Sequence, residues 1–225
     1  MTNPKAKIWF QLVIACVLIG FALFTSAGTI AYWQAWVFLG VLAVCSVLLT
    51  LSVIGDPILL ENRTGGGPTA ETRSIQKIIV WCTGLPAVAA FIVPGLDHRF
   101  GWSSEPPPWL SIVGDLLLIM SLWMVYRVFK ENSFGSTTVR IAEGQKVISS
   151  GPYAIVRNPM YASAAVYFIG MSLALGSYWG LIPALFTILG LVWRLLDEEE
   201  FLAQNLPGYM EYLAKVRWHL IPGIF

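Results

Sequence analysis

Two short stretches in the last third of the chain carry residues suited to chemistry. The first is Arg194-Leu195-Leu196-Asp197-Glu198-Glu199-Glu200-Phe201-Leu202. Arg194 and Glu198 stand four apart, which puts them on one face of a helix. Both stand where the last apolar segment ends. The same pattern also reads as an arginine snorkelling at a membrane border, followed by a solvated acidic turn. An ionisable group at the edge of a membrane span is, however, a functional candidate in its own right. The second stretch is Gly151-Pro152-Tyr153 followed by Arg157-Asn158-Pro159-Met160-Tyr161. Gly-Pro permits a tight turn, and Asn-Pro closes one element and opens a helix. That arrangement aims backbone N–H groups from a helix N-terminus, with Tyr153 and Tyr161 able to line a pocket. The alternative is a membrane re-entry loop with interfacial tyrosines.

The elements that must position these residues are membrane helices. Hydrophobic residues make up 56% of the chain and charged residues 12%, against about 25% charged in soluble domains. No charged side chain occurs from Ile8 to Gly55, which is more than the roughly 20 apolar residues one crossing needs. Lys5 and Lys7 before an apolar run also fit a signal peptide. The run nevertheless leads straight through Gly28 into a second one, so an uncleaved first span is expected. Six apolar segments follow: 8–28, 32–54, 75–96, 109–129, 159–176 and 179–194. The first two are joined near 29–31 and form a hairpin. Residues 55–74, with three consecutive glycines, and 97–108, ending in prolines suited to a helix start, are expected as loops. The stretch 159–193 is too long for one span. Gly176, Ser177, Gly180 and Pro183 divide it into two short helices, with one long kinked helix as the alternative. The expected fold is therefore all-α: a polytopic bundle of about six membrane segments, the last two a short hairpin, with a cytosolic C-terminal helix. Residues 1–108 form the N-terminal spans, and 109–225 the region that carries the site.

Charge sets the orientation. With a cytosolic N-terminus, thirteen of the fourteen Lys and Arg residues face the cytosol and Arg99 alone faces away. Both termini and both polar segments, 130–158 and 195–225, then share the cytosolic side, where a water-soluble cofactor is available. Cys16, Cys45 and Cys82 fall in apolar runs without paired spacing, so they suggest neither disulfides nor a metal site. A net charge of +1 makes no case for nucleic acid. The compact length points to a prokaryotic inner membrane.

The two stretches, in this order and flanking a hairpin, resemble the isoprenylcysteine carboxyl methyltransferase family and its relatives among phospholipid methyltransferases. The family pattern is Gly-x-Tyr, Arg-His-Pro-x-Tyr, a hairpin, an Arg followed by Glu-Glu-x-x-Leu, and a late Tyr-x-x-Tyr. Gly151, Tyr153, Arg157, Pro159, Tyr161, Arg194, Glu198, Glu199, Leu202, Tyr209 and Tyr212 match it, over roughly 130–225. The resemblance implies S-adenosylmethionine in a pocket closed by the C-terminal segment. It would be contacted by Tyr153, by Asn158, Pro159, Met160 and Tyr161 largely through backbone, and by Gln145, Lys146, Val147 and Ile148. It further implies that Glu198 holds the cofactor's ammonium and that Arg194, as catalytic and substrate-binding residue, holds the acceptor's carboxylate. Three positions depart from the pattern. Asn158 replaces the His and cannot carry a proton near neutral pH. Ser163 stands where Gly is frequent and is expected to tighten the pocket. Leu206-Pro207-Gly208 replaces Phe-Gly-Glu-Glu.

Methyl transfer from a sulfonium is an in-line displacement served by positioning and exclusion of water. A carboxylate acceptor needs no base, which suits a chain whose two histidines, His98 and His219, lie on the far side and near the tail. An amine acceptor would need one, and Asp197, Glu199 or Glu200 could serve. The expected activity is methylation of a lipophilic or lipidated acceptor arriving from the bilayer, most like carboxyl O-methylation of isoprenylcysteine. Phospholipid N-methylation and thiol S-methylation are the alternatives. A second class is a sterol-reductase-like oxidoreductase using NADPH, for which the short C-terminus offers no extra basic residues. A third, a small transporter or assembly factor, would need polar residues facing one another in mid-membrane. Asp115, the clearest acidic residue within a span, is expected instead at the interface or at a helix contact.

Overall fold

The computed structural model describes residues 4–64, 73–104, 106–134, 141 and 144–225. Every regular element among them is helical: α1 (Pro4–Ala27), α2 (Trp33–Ile54), α3 (Pro57–Thr64), α4 (Ser74–Phe100), α5 (Pro108–Glu131), α6 (Pro159–Ala174), α7 (Leu181–Asn205) and α8 (Tyr209–Lys215), with a 3-10 turn at Gly151–Ala154. In lipid each backbone N–H must find its partner within its own segment, and helices meet that demand. Helices α1, α2, α4 and α5 have 22 to 27 residues and are long and apolar enough to cross a membrane. Large apolar side chains such as Phe10, Phe21, Leu48, Trp81 and Leu116 point outward from them. A water-facing surface would not carry that load. Together these features make the chain a membrane protein.

The helices close a ring: α1 packs on α2, α2 on α5, α5 on α6, α6 on α7, α7 on α4 and α4 on α1. Leu23, Tyr32, Phe38, Leu118, Met171 and Leu175 fill its centre. Lipid tails are as apolar as Leu, so tight helix contact depends on small residues and cross-helix hydrogen bonds. Helices α5 and α6 show this at Gly114 and Gly170. A Cβ on Gly114 would lie 2.0 Å from the Ala174 nitrogen, and one on Gly170 2.8 Å from Leu117 Cβ. Farther along the same contact, Ser121 Oγ donates to the Ser163 carbonyl at 2.9 Å.

The six predicted segments match helices, with three differences. Residues 97–100, expected as loop, complete α4, because Gly101 supplies the left-handed cap (φ 64°) that ends it. Part of the expected loop 55–74 is α3. Asp56 accepts from the N–H groups of Ile58 (3.0 Å) and Leu59 (3.1 Å), an N-cap followed by Pro57 at the first helical position. The glycine-rich remainder of that loop, and Arg140, lie outside the described residues. Third, α7 does not stop at 194 but runs unbroken through Arg194 and the acidic cluster to Asn205. Between α6 and α7 the chain turns at Gly176 (φ 65°), so 159–194 is a hairpin and not one kinked helix.

At the end of the bundle where α6 meets α7, buried Asp97 gathers three separate pieces of chain. It accepts from Ser103 N and Oγ, both at 2.6 Å, and from Ser177 Oγ at 2.5 Å. Tyr32 donates to the Leu175 carbonyl at 2.6 Å and stacks on His98 with ring centroids 4.1 Å apart. Exposed Trp33, Trp36, Trp102, Trp109 and Trp179 surround this end, as aromatic residues do at a membrane interface. Asp115 does not reach that interface: it is buried in α5, and its Oδ1 has no partner among the described residues.

Candidate functional site

The polar segments converge at the opposite end. Helix α3 lies under the ends of α2 and α5, where Val53, Leu59, Leu60 and Phe129 form a small apolar cluster together with Met160. Asp56 accepts from the Ser133 hydroxyl at 2.5 Å, and Asn62 Nδ2 donates to the Ser133 carbonyl at 3.1 Å, so α3 is tied to the chain just beyond α5. The Ser133 bond is the leading cause that holds the Asp56 carboxyl below its ordinary range. Beside it, Gly151 (φ 55°) turns the chain where a Cβ would meet Glu131 Oε2 at 2.8 Å, and the 3-10 turn that follows presents Tyr153. Asn132 Nδ2 donates to the Tyr153 hydroxyl and the Tyr212 hydroxyl donates to the Tyr153 carbonyl, each at 2.9 Å.

Residues 157–158 pair with the C-terminal segment by backbone: Arg157 N to Trp218 O at 2.8 Å and Asn158 N to His219 O at 3.0 Å. The Arg157 side chain adds donations to the carbonyls of Val216 (2.6 Å) and Leu213 (3.0 Å). Glu199, buried on α7, is the meeting point. It accepts from Asn158 Nδ2, lies 3.0 Å from His219 Nδ1, and pairs with Arg157 at 3.5 Å. On the residue next to it, Glu198 Oε2 accepts from Tyr161 at 2.5 Å, and Arg194 hydrogen-bonds Tyr161. Asp197 faces the other way, held bidentately by Arg73 at 2.6 and 3.0 Å and by Gln76.

Between these elements lies a cleft of about 960 Å³ of empty space, counting its open mouth. Gln145, Lys146, Val147, Ile148, Tyr153, Asn158, Pro159, Met160, Tyr161 and Glu198 all line it. These are the residues that the sequence offered as cofactor contacts, drawn from three stretches. Arg194 is not in the lining; it stands behind Tyr161. Ser163 is not there either: it is fully buried, bonded to the Pro159 carbonyl at 2.7 Å, and belongs to the α5–α6 contact, so it does not narrow the cavity. The turn at 206–208 contributes Leu206, which packs with Tyr209, Tyr212 and Val216 as one wall.

Sequence reasoning missed Arg63, Asn132 and Phe134 as lining residues. Arg63 read only as a topology marker, and nothing local in the sequence says that α3 folds back under the cavity. Burial, followed by the charge of Glu198, pushes the Tyr153 hydroxyl above the ordinary tyrosine range; the Asn132 hydrogen bond and Arg63 oppose it. Tyr209 and Tyr212 are raised as well, mainly by burial. At neutral pH the wall is therefore aromatic and uncharged, with Glu198 as an acidic group set into it.

Residues 109–207 match the family model described as phospholipid methyltransferase. This family of integral-membrane methyltransferases includes the isoprenylcysteine carboxyl methyltransferases that the motifs resemble. The matched stretch holds α5, the 3-10 turn, the α6–α7 hairpin and the Arg194–Glu199 cluster; Arg63, Tyr209 and Tyr212 lie outside it. No curated protein matches the chain.

Proposed function

We propose that the chain is an S-adenosylmethionine-dependent methyltransferase acting on a lipophilic acceptor at the membrane face where the cleft opens. The observation that carries this reading is the gathering of the turn at 151–161 and the acidic face of α7, both within the methyltransferase-family stretch, around one cleft. The residues present fit the cofactor. The cleft sets one carboxylate among tyrosines, and tyrosine faces suit a cationic centre.

When bound, S-adenosylmethionine supplies an electrophilic methyl group on a sulfonium. Glu198 holds the ammonium group, kept in place by the Tyr161 hydroxyl, which Arg194 steadies in turn. Tyr153, Leu206, Tyr209 and Tyr212 form the wall that keeps water from the reacting atoms. Arg194, in contact with Tyr161 and outside the cleft lining, orients the acceptor.

For the acceptor, two of the three carboxylates that could have taken a proton from an amine are already engaged: Asp197 by Arg73 and Gln76, Glu199 by Arg157, Asn158 and His219. This favours a nucleophile that is anionic at neutral pH, a carboxylate of the isoprenylcysteine kind. The family description favours the second reading, a phospholipid amine. Incubation with methyl-labelled cofactor and either a farnesylated cysteine or phosphatidylethanolamine separates them; base-labile label on the cysteine is expected.

The cofactor assignment is tested by calorimetric titration of the purified protein in detergent. S-adenosylmethionine is expected to bind and NADPH not. Glu198→Ala should weaken binding by about tenfold or more, the worth of a hydrogen bond to a charged group. Undiminished affinity in that variant overturns the assignment.

A further inference from the structure

Arg63 stands out among the cations of the cleft. Its guanidinium carbon lies 4.4 Å from the centroid of the Phe129 ring, and its Nε is buried without a hydrogen-bond partner. No carboxylate pairs with it among the described residues. The other two cations in the lining differ: Arg157 is engaged by Glu199 and two carbonyls, and Lys146 is exposed at the rim. A guanidinium taken from water without a counter-charge is costly to the fold. Its planar fork matches a carboxylate or phosphate in two parallel bonds. The opposite charge is nearby, since Arg63 and Glu198 both act electrostatically on the Tyr153 hydroxyl, in opposite senses.

We infer that Arg63, carried into the cleft by α3, is the residue that receives the anionic oxygen group of the bound molecule, so that Arg63 and Glu198 together read a zwitterion. The inference rests on the methyltransferase reading for its first candidate, the α-amino acid end of S-adenosylmethionine, with ammonium at Glu198 and carboxylate at Arg63. A phosphoethanolamine headgroup presents the same pair of charges. In both cases the anion completes the hydrogen bonding of the guanidinium and offsets its burial, which acts alone to pull the Arg63 pKa down.

The test compares ligands that differ at the anion. Wild type, Arg63→Gln and Arg63→Lys are titrated in detergent with S-adenosylmethionine and with its decarboxylated analogue. Wild type is expected to prefer the carboxylate-bearing ligand by about tenfold or more. Arg63→Gln should bring the two affinities within about threefold by losing affinity for S-adenosylmethionine alone; Arg63→Lys should fall between. Retained binding of the decarboxylated analogue shows that the variant is folded. A second arm titrates glycerophosphoethanolamine: a loss confined to this ligand in Arg63→Gln keeps Arg63 as the anion receptor and assigns the anion to a lipid headgroup. Equal losses for all ligands, or none, overturn the inference and leave Arg63 as packing on Phe129. Wild type that binds glycerophosphoethanolamine through Arg63 but no S-adenosylmethionine sinks the cofactor reading while sparing Arg63.

Discussion

Glu199 shows how much one side chain holds together at this site. It is buried, and its partners come from the turn before α6 (Arg157, Asn158) and from the C-terminal segment (His219). Removing one member of a buried charged network strands the others, which costs about 3–5 kcal/mol. Glu199→Ala should therefore lower the melting temperature in detergent clearly, and Glu199→Gln by less, because the amide oxygen can still accept from Asn158. Equal melting of Glu199→Ala and wild type would show that the network is dispensable. The tyrosines of the wall set an alkaline limit. Tyr153, Tyr209 and Tyr212 all have folded-state pKa values raised above the unfolded value of 10.0. The folded chain keeps protons that the unfolded chain has released, so their contribution is complete below about pH 10 and is lost as pH rises beyond it. A plot of stability against pH should fall above that point. In Tyr153→Phe the fall should be shallower, even though the variant starts lower for want of the Asn132 bond. An unchanged slope would remove Tyr153 from the account.

At the level of elements, the α5–α6 contact is the tightest constraint on the site, because α6 begins with the residues that line the cleft. A methyl group on Gly114 would have to displace backbone of α6. Gly114→Ala is therefore expected to destabilise by about 1–3 kcal/mol, the usual cost of overpacking. Gly84→Ala, inside α4 where nothing lies within 4 Å of the added Cβ, should melt no lower than wild type in detergent, because Ala favours the helix. Equal behaviour of the two would show that the crossing is loose. The helices themselves were legible in the sequence, because charge-free runs bounded by Gly and Pro leave little choice in lipid. The lining residues at 145–148, Tyr153, the run 158–161 and Glu198 were legible through the family resemblance. Helix α3 was not: its eight residues are half polar, and it is fastened by Asp56 to Ser133, far along the chain. Arg63 was hidden for the same reason. The role of Glu199 was hidden because it exists only once Arg157 and His219 arrive from elsewhere. Ser163 misled in the other direction, since its neighbourhood to Tyr161 in sequence says nothing of its facing α5.

For the whole molecule, the ring of helices has two chemically different ends. One carries the cleft and the ion pairs, the other the Asp97 knot and five of the ten tryptophans. Thirteen of the fourteen basic residues are expected on the cleft side. Single cysteines placed at the exposed positions Lys215 and Ser104, in a chain cleared of its own three, should react with an impermeant maleimide from opposite faces of sealed vesicles. Lys215 should label from the cytosolic face, and labelling of both from one face would refute the arrangement. The tryptophan band also fixes a depth. From Trp109 to Asn132, which bonds Tyr153 in the cleft, α5 rises about 35 Å, a little more than the roughly 30 Å hydrocarbon layer. With Trp109 at one interface, the cleft lies level with the headgroups of the other leaflet. For the proposed reaction, an acceptor's tail can then stay in the oil while its polar end reaches the site. Encounter becomes a search in two dimensions, and turnover follows the acceptor's mole fraction in the leaflet instead of its amount per volume of water.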